Sequence, residues 1–365
     1  MADCLAAVIT EHGKPPELQR VPIPELEPTA ILARVDAATL CGTDVHFWHG
    51  MGGASKPPYI PGHETAGIIE EVRGERFDIL GQPLKHGDRV LCTYSFCGHC
   101  YYCTVAHQPT LCGQGVRFGR ARADQPPYLL GGCAEYHYFP PGSEIVRVPD
   151  EVTSPLAASA ACALRTVMHG FERLGAVATH ETVLVQGCGP VGLYALAVAR
   201  DRGAQRVLVI GAPTGRLDVA TAWGADATLN MEEVPEVEAR RDWVREQTGG
   251  RGADIVVQAA TGMAIPEGIG LVRPGGRFLS IGTAGGDITL PAAELAKHLQ
   301  FISVRTAEGR HFYQALQFLA TRRDIPFHRL ITGTYTLDQV PEALQAMADF
   351  REVKAVILPG KTVAA

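Results

Sequence analysis

Over roughly the first 160 residues, short apolar runs alternate with turns rich in Pro, Gly and Asp; Ala6–Ile9, Ala30–Val35, Ile68–Val72 and Arg89–Leu91 are the clearest. Runs of this length between turn residues predict strands, so the zone reads as irregular and β-rich. From Glu181 to Ile288 the pattern changes. Thr182–Gln186, Arg206–Ile210, Ala253–Gln258 and Arg277–Ile281 read as buried strands, with helices expected over Val191–Arg202 and Leu217–Trp223. Apolar strands alternating with helices predict a parallel sheet covered on both faces. After Leu299 mixed character returns, with helices expected over Phe312–Thr321 and Val340–Phe350 and a closing strand over Val353–Leu358. The chain thus leaves its first zone, builds an α/β domain and comes back. This gives one domain from 1–163 and 300–365 and a second from 164–299.

A length of 365 residues agrees with two domains. The net charge of −6 argues against a nucleic-acid partner, which would need a basic face. No apolar run reaches the roughly 18–20 residues of a membrane span. Met1 to Arg20 carries His12, Lys14 and two prolines and no apolar core segment, so it does not resemble a signal peptide. Ten cysteines in that setting suggest a reducing, cytoplasmic compartment with thiolate–metal chemistry.

Cys97, Cys100, Cys103 and Cys112 form a C-x2-C-x2-C-x8-C run. Four thiols so close in sequence suit a closed tetrahedral zinc site, which holds a loop and leaves no position for substrate. Disulfides or free thiols are the alternative.

The strand Thr182–Gln186 runs into Gly187-Cys188-Gly189-Pro190-Val191-Gly192 and then a helix. In that setting the first glycine makes the turn, the second lets the backbone approach a pyrophosphate, and the third packs helix on strand. The pyrophosphate would face the unpaired N–H groups of the helix N-terminus. The acidic residue expected about 20 positions on is missing, and Gly211 follows Val209-Ile210 instead. Arg216 either meets a 2′-phosphate or is a solvated cation at a helix start, so both NAD and NADP stay open.

Cys41-Gly42-Thr43-Asp44-Val45-His46 and Gly62-His63-Glu64 supply a thiol and an imidazole, and Cys162 lies just before the α/β zone. Together Cys41, His63 and Cys162 can form a three-ligand zinc site with the fourth position open, the catalytic pattern. Spacing alone does not give that geometry.

With these motifs in order, the chain resembles the zinc-containing alcohol dehydrogenases of the medium-chain dehydrogenase/reductase superfamily. The resemblance rests on CGTDVH, GHE-x-x-G at Gly62–Gly67, GDRV at Gly87–Val90, the four-cysteine loop, CxxxT at Cys162–Thr166 and the glycine turn. It implies an α/β fold, a GroES-like β-rich catalytic domain joined to a Rossmann domain with a doubly wound parallel sheet. It also implies two zincs per chain: a catalytic one on Cys41, His63 and Cys162, and a structural one on Cys97, Cys100, Cys103 and Cys112. NAD or NADP would bind at Gly187, Gly189, Pro190, Val191, Gly192, Gly211 and Arg216, with Thr166 flanking the nicotinamide.

The resemblance further implies hydride transfer between an alcohol, secondary or polyol-like, and NAD(P)+. Zinc would act as a Lewis acid on the substrate oxygen. Thr43 would take the proton and pass it through the cofactor ribose to His46. Asp44 would accept from the His63 ring, and Glu64 would lie behind the metal. CGTDVH is similar to threonine and polyol dehydrogenases, whereas Cys162 as third ligand is closer to simple alcohol dehydrogenases. The partners expected are a small alcohol or ketone and a second copy, as a homodimer or homotetramer, with neither nucleic acid nor membrane. The competing readings are a carbonyl or enone reductase using NADPH without catalytic zinc, and a non-catalytic zinc-stabilised binding protein. Arg165 is expected to reach solvent rather than to meet an anionic substrate, Thr93, Phe47 and Trp48 are candidates for the pocket wall with packing an equal reading for the two aromatic residues, and Arg73–His86 is expected to be a surface excursion.

Overall fold

In the computed structural model, residues 2–51, 53, 56–282 and 286–360 are described. The chain forms two compact units, one from Met1–Arg165, Ala307–Arg322 and Ile331–Ala365, the other from Thr166–Thr306 and Arg323–Leu330. The second unit therefore includes residues 300–306 and 323–330, which sequence reasoning had assigned to the first.

The first unit is built on a seven-stranded, mostly antiparallel sheet. Its order is Gly333–Tyr335, Ala355–Ile357, Ile31–Thr39, Glu64–Val72, Arg89–Cys92, Ile145–Arg147, and Tyr136–Phe139 also pairs with Ile31–Thr39. Ile31–Thr39 is buried at most positions because neighbours cover it on both edges and both faces. A side chain at Gly67 would come within 2.8 Å of the Ala33 Cβ across the ladder, which explains the second glycine of GHE-x-x-G. Gly62 has φ +87°, so the turn that delivers His63 needs a residue free of Cβ strain. The Arg73–His86 excursion exposes Phe77 and Leu80, while the Arg76 guanidinium anchors it on the carbonyls of Thr29, Pro141 and Ser143.

The second unit is a six-stranded, wholly parallel sheet in the order Ala227–Asn230, Arg206–Gly211, Thr182–Gln186, Ala253–Gln258, Val272–Ser280, Gln300–Ser303. Counted along this unit the order is 3-2-1-4-5-6, the doubly wound Rossmann arrangement. Leu184, Leu208, Val256, Ile269 and Phe278 form part of its core. The central strands read as unbroken apolar runs because both faces are covered, whereas Ala227–Asn230 and Gln300–Ser303, at the sheet edges, did not stand out in the sequence. No helix among the described residues is long and apolar enough to cross a membrane.

His137 is 1% exposed, and burial pushes its ring down to about 3. Its Nδ1 meets Thr65 Oγ1 at 3.2 Å, while Nε2 has no partner among the described residues. The folded ring stays neutral where the unfolded one takes a proton. Its contribution is thus complete above about pH 6.5 and is lost as pH falls from there toward about 3. We expect this group to remove about 2 kcal/mol of stability between pH 7 and pH 5. Urea unfolding at the two pH values should show that loss in the native protein and a clearly smaller one in His137→Gln; equal losses would refute the assignment.

Candidate active site and metal centres

Cys41 is the N-cap of the helix Gly42–Trp48, and its sulfur accepts from the Thr43 N–H at 3.2 Å. Asp44 lies three residues on, and its 1% exposed carboxylate closes the same helix end by accepting from Cys41 N at 2.9 Å. Its other oxygen accepts from Gly62 N at 3.0 Å and lies 3.1 Å from His63 Nδ1. That contact turns the His63 Nε2 toward Cys41 Sγ, 3.3 Å away. Cys162 arrives on a π-helical stretch, Ala160–Leu164, that follows the helix Ser154–Ser159. Single π turns inside helices are frequent at functional sites. The donor atoms of Cys41, His63, Glu64 and Cys162 all lie within 4.8 Å of one another.

The electrostatics suit a cation. The neighbouring Cys162 thiol, followed by the His63 ring, holds Cys41 well below the usual thiol range, while Cys162 itself is pushed up by Cys41 and by burial. Burial opposes a charged His63 ring, but Asp44 and Cys41 hold its pKa well above the ordinary value. Glu64 and Lys354 are both fully buried, with Lys354 Nζ 2.8 Å from Glu64 Oε1. Burial pushes the Glu64 carboxyl up to about 7 against the pull of Lys354. Thr39 donates to its other oxygen. Both carboxylate oxygens thus hold a partner, Lys354 on one and Thr39 on the other. Two thiolates and an imidazole at this separation fit zinc, whose bonds of about 2.0–2.3 Å place tetrahedral ligand atoms roughly 3.6–3.8 Å apart.

The four-cysteine loop is also assembled. Cys100 caps the short helix Tyr101–Thr104, and the 3-10 turn Pro109–Leu111 delivers Cys112. All four sulfurs lie within 4.8 Å of one another, with Cys97–Cys103 at 3.9 Å and Cys100–Cys103 at 3.5 Å. Every cysteine is a free thiol, and the sulfur separations are those of a tetrahedral zinc rather than of S–S bonds. The eight-residue gap before Cys112 does not keep it from the cluster.

In the second unit the glycine turn leaves the carboxyl end of Thr182–Gln186. Gly187 has φ +110°, and a Cβ there would lie 3.0 Å from Ala260 N, just past the end of Ala253–Gln258. The turn thus sits where strand order reverses, the ligand-binding crevice of such sheets. Gly189 is the N-cap of the helix Pro190–Asp201, so Pro190 and Val191 occupy its first turn. A Cβ on Gly192 would lie 1.8 Å from the Gly187 carbonyl oxygen, which leaves glycine alone able to pack there.

Several sequence expectations are corrected. Arg165 is 2% exposed, its guanidinium 5.3 Å from the Tyr94 ring and 4.9 Å from the Phe312 ring, so it does not reach solvent. Thr93 is fully buried and spends its hydroxyl on Tyr94 O and Glu144 N, while Phe47 and Trp48 follow the packing reading and belong to the core. Arg216 is buried rather than a solvated cation. Thr43 is exposed and His46 half-buried on the helix Gly42–Trp48, and Thr166 is buried at the start of the second unit. Sequence reasoning missed Lys354 and Thr39; a lysine inside the apolar run Val353–Leu358 was the available signal.

Comparison with known proteins agrees with this architecture. Residues 27–150 match the alcohol dehydrogenase GroES-like domain, and residues 190–321 match the zinc-binding dehydrogenase family. The 5-exo-hydroxycamphor dehydrogenase of Pseudomonas putida is 35% identical over 96% of this chain and 98% of its own. An alcohol dehydrogenase structure from Thermotoga maritima superposes with a TM-score of 0.91 at 30% identity, covering 98% of this chain and 100% of that one. A structure described as a zinc-binding dehydrogenase from Sinorhizobium meliloti 1021, bound to NADP, gives a TM-score of 0.84 at 25% identity over 98% and 100% of the two chains. The chain belongs to the zinc-containing alcohol dehydrogenases of the medium-chain dehydrogenase/reductase superfamily. It is a zinc-dependent oxidoreductase that transfers hydride between an alcohol and NAD(P).

Replacing Lys354 with Ala would leave the Glu64 carboxylate buried without its cation. We expect a loss of about 3–5 kcal/mol in chemical unfolding, much of it recovered when Glu64→Gln is added. A loss below about 1 kcal/mol would show that the pair does not hold the site together.

Proposed function

We propose that this enzyme oxidises a secondary or polyol-like alcohol to the ketone, with the catalytic zinc on Cys41, His63 and Cys162 and the structural zinc on Cys97, Cys100, Cys103 and Cys112. The observation that carries this is the convergence of Cys41, His63 and Cys162 on one point, with the ring of His63 braced by Asp44 and the neighbouring Glu64 paired with Lys354. When bound, zinc supplies Lewis-acid polarisation of the alcohol oxygen, and NAD(P)+ supplies the hydride acceptor.

The chain's own residues do the rest. Thr43 accepts the hydroxyl proton on its Oγ1 as it releases its own toward His46. His46, three residues on and on the same helix face, passes a proton on to solvent. Gly187, Gly189 and Gly192 shape the turn that admits the pyrophosphate, with the backbone of Pro190 and Val191 facing it, and Thr166 borders the nicotinamide. Gly211 and Arg216 border the adenosine ribose. A secondary alcohol is supported by the likeness to a hydroxycamphor dehydrogenase and by the CGTDVH segment. We place the enzyme in the cytoplasm as a homodimer or homotetramer. A reductase without catalytic zinc would have no need of all three donors, nor of the buried pair behind them.

Purified without chelator, the enzyme should hold about two zincs per chain. Cys41→Ser should lose one of them and essentially all turnover while keeping its far-ultraviolet circular dichroism. Full activity in that variant would remove the catalytic-zinc assignment. Thr43→Ala should keep both zincs and lose turnover by about 100-fold or more, the scale of a general acid–base step. Unchanged rates over a panel of secondary alcohols and polyols would take Thr43 out of the proton path.

A further inference from the structure

The second strand of the Rossmann sheet ends at Gly211, where a dinucleotide fold that favours NAD carries a carboxylate for the ribose 2′-OH. The space beside Gly211 is filled by Cys188, the residue between the first two glycines of the turn. A Cβ at position 211 would lie 2.4 Å from Cys188 Sγ, 2.9 Å from its Cβ and 3.0 Å from its backbone nitrogen. Cys188 is 2% exposed, and its thiol donates to Ala212 O at 3.3 Å, so it is not free to swing aside. Any acidic side chain at 211 is therefore excluded sterically as well as absent from the sequence.

Arg216 brings a positive charge to this rim. Arg216 stands in the first turn of the helix Thr214–Ala222, its backbone N–H bonded to Pro213 O at 3.0 Å. Its guanidinium reaches back to the glycine turn, with Nη1 4.0 Å from where a Cβ of Gly189 would be. The side chain is 8% exposed, so its charge acts at short range with little screening from water. Asn230, paired in register with Gly211 on the neighbouring strand, donates to Thr214 Oγ1 and Glu233 Oε1. Glu232, exposed just beyond, is the carboxylate that acts on the Cys188 thiol.

We propose that Cys188 and Gly211 form a steric lock that keeps the ribose carboxylate out, and that Arg216 receives a 2′-phosphate there, making the chain selective for the phosphorylated dinucleotide, NADP. Cys188 thus acts as a specificity-determining residue through position 211. This rests on the glycine turn being the dinucleotide site.

The test uses the whole enzyme and cofactor fragments that undergo no reaction, 2′,5′-ADP and 5′-ADP, with dissociation constants from isothermal titration calorimetry. The native protein should bind 2′,5′-ADP about 10- to 100-fold more tightly, the scale of a charge-assisted hydrogen bond. Arg216→Ala should bring the ratio close to one, and Arg216→Lys should keep part of it. Gly211→Asp alone should lower the melting temperature by about 3 °C or more. Adding Cys188→Gly should restore much of that and turn the preference toward 5′-ADP. Equal or tighter binding of 5′-ADP by the native protein would overturn the proposal while leaving the turn as the nucleotide site. Binding of neither fragment would overturn both. Because the native ratio needs no variant, a misfolded Arg216→Ala does not block the decision.

Discussion

The catalytic centre depends on one buried carboxylate. Asp44 closes the N-terminus of the helix that begins after Cys41, pins the Gly62 turn and braces the His63 ring, so one side chain sets the separation of two candidate metal donors that are 22 residues apart in sequence. The arrangement is economical because each contact satisfies a group that would otherwise be costly to bury: a free helix-end N–H, a turn N–H and a ring nitrogen. Second nitrogens anchored in this way fix the tautomer of a ligating histidine and raise its basicity.

A second constraint comes from far along the chain. Lys354 lies 290 residues from Glu64, next to the strand Ala355–Ile357, which pairs with Ile31–Thr39. The segment after the Rossmann zone does more than complete a sheet, since it delivers the cation that pairs with the carboxylate beside Cys41, His63 and Cys162. The return of the chain to its first unit is thus a requirement of the site's charge balance. It also gives Thr39, on the strand Ile31–Thr39, a place in the same network.

What could be read from the sequence follows from the range of the interactions involved. Thr182–Gln186, Ala253–Gln258 and the glycine turn were legible because both faces of a parallel sheet are buried and a tight turn needs glycine locally. The four-cysteine loop was legible because its ligands are close in sequence. Ala227–Asn230 and Gln300–Ser303 were not, since edge strands need not be apolar on both faces. Cys41, His63 and Cys162 could be named from their motifs, yet their convergence depends on sheet register. Arg165 illustrates the limit: its charge suggested solvent, but Tyr94 and Phe312 supply two ring faces that cover it. The Lys354–Glu64 pair and the Cys188–Gly211 contact could not be read from the sequence for the same reason, being made between residues that only the fold brings together.

The π-helical stretch at Ala160–Leu164 gives the centre an unusual kind of fragility. Such a stretch holds an extra residue per turn relative to an α-helix, and each helical residue rotates a side chain by about 100°. Shortening this segment by one residue would let the backbone relax into regular helix with every hydrogen bond made, and would carry the Cys162 sulfur to another face. The candidate metal cluster would lose a donor through an improvement in the helix. Here function is stored as a counting irregularity in the backbone, one that a search for better local structure would erase.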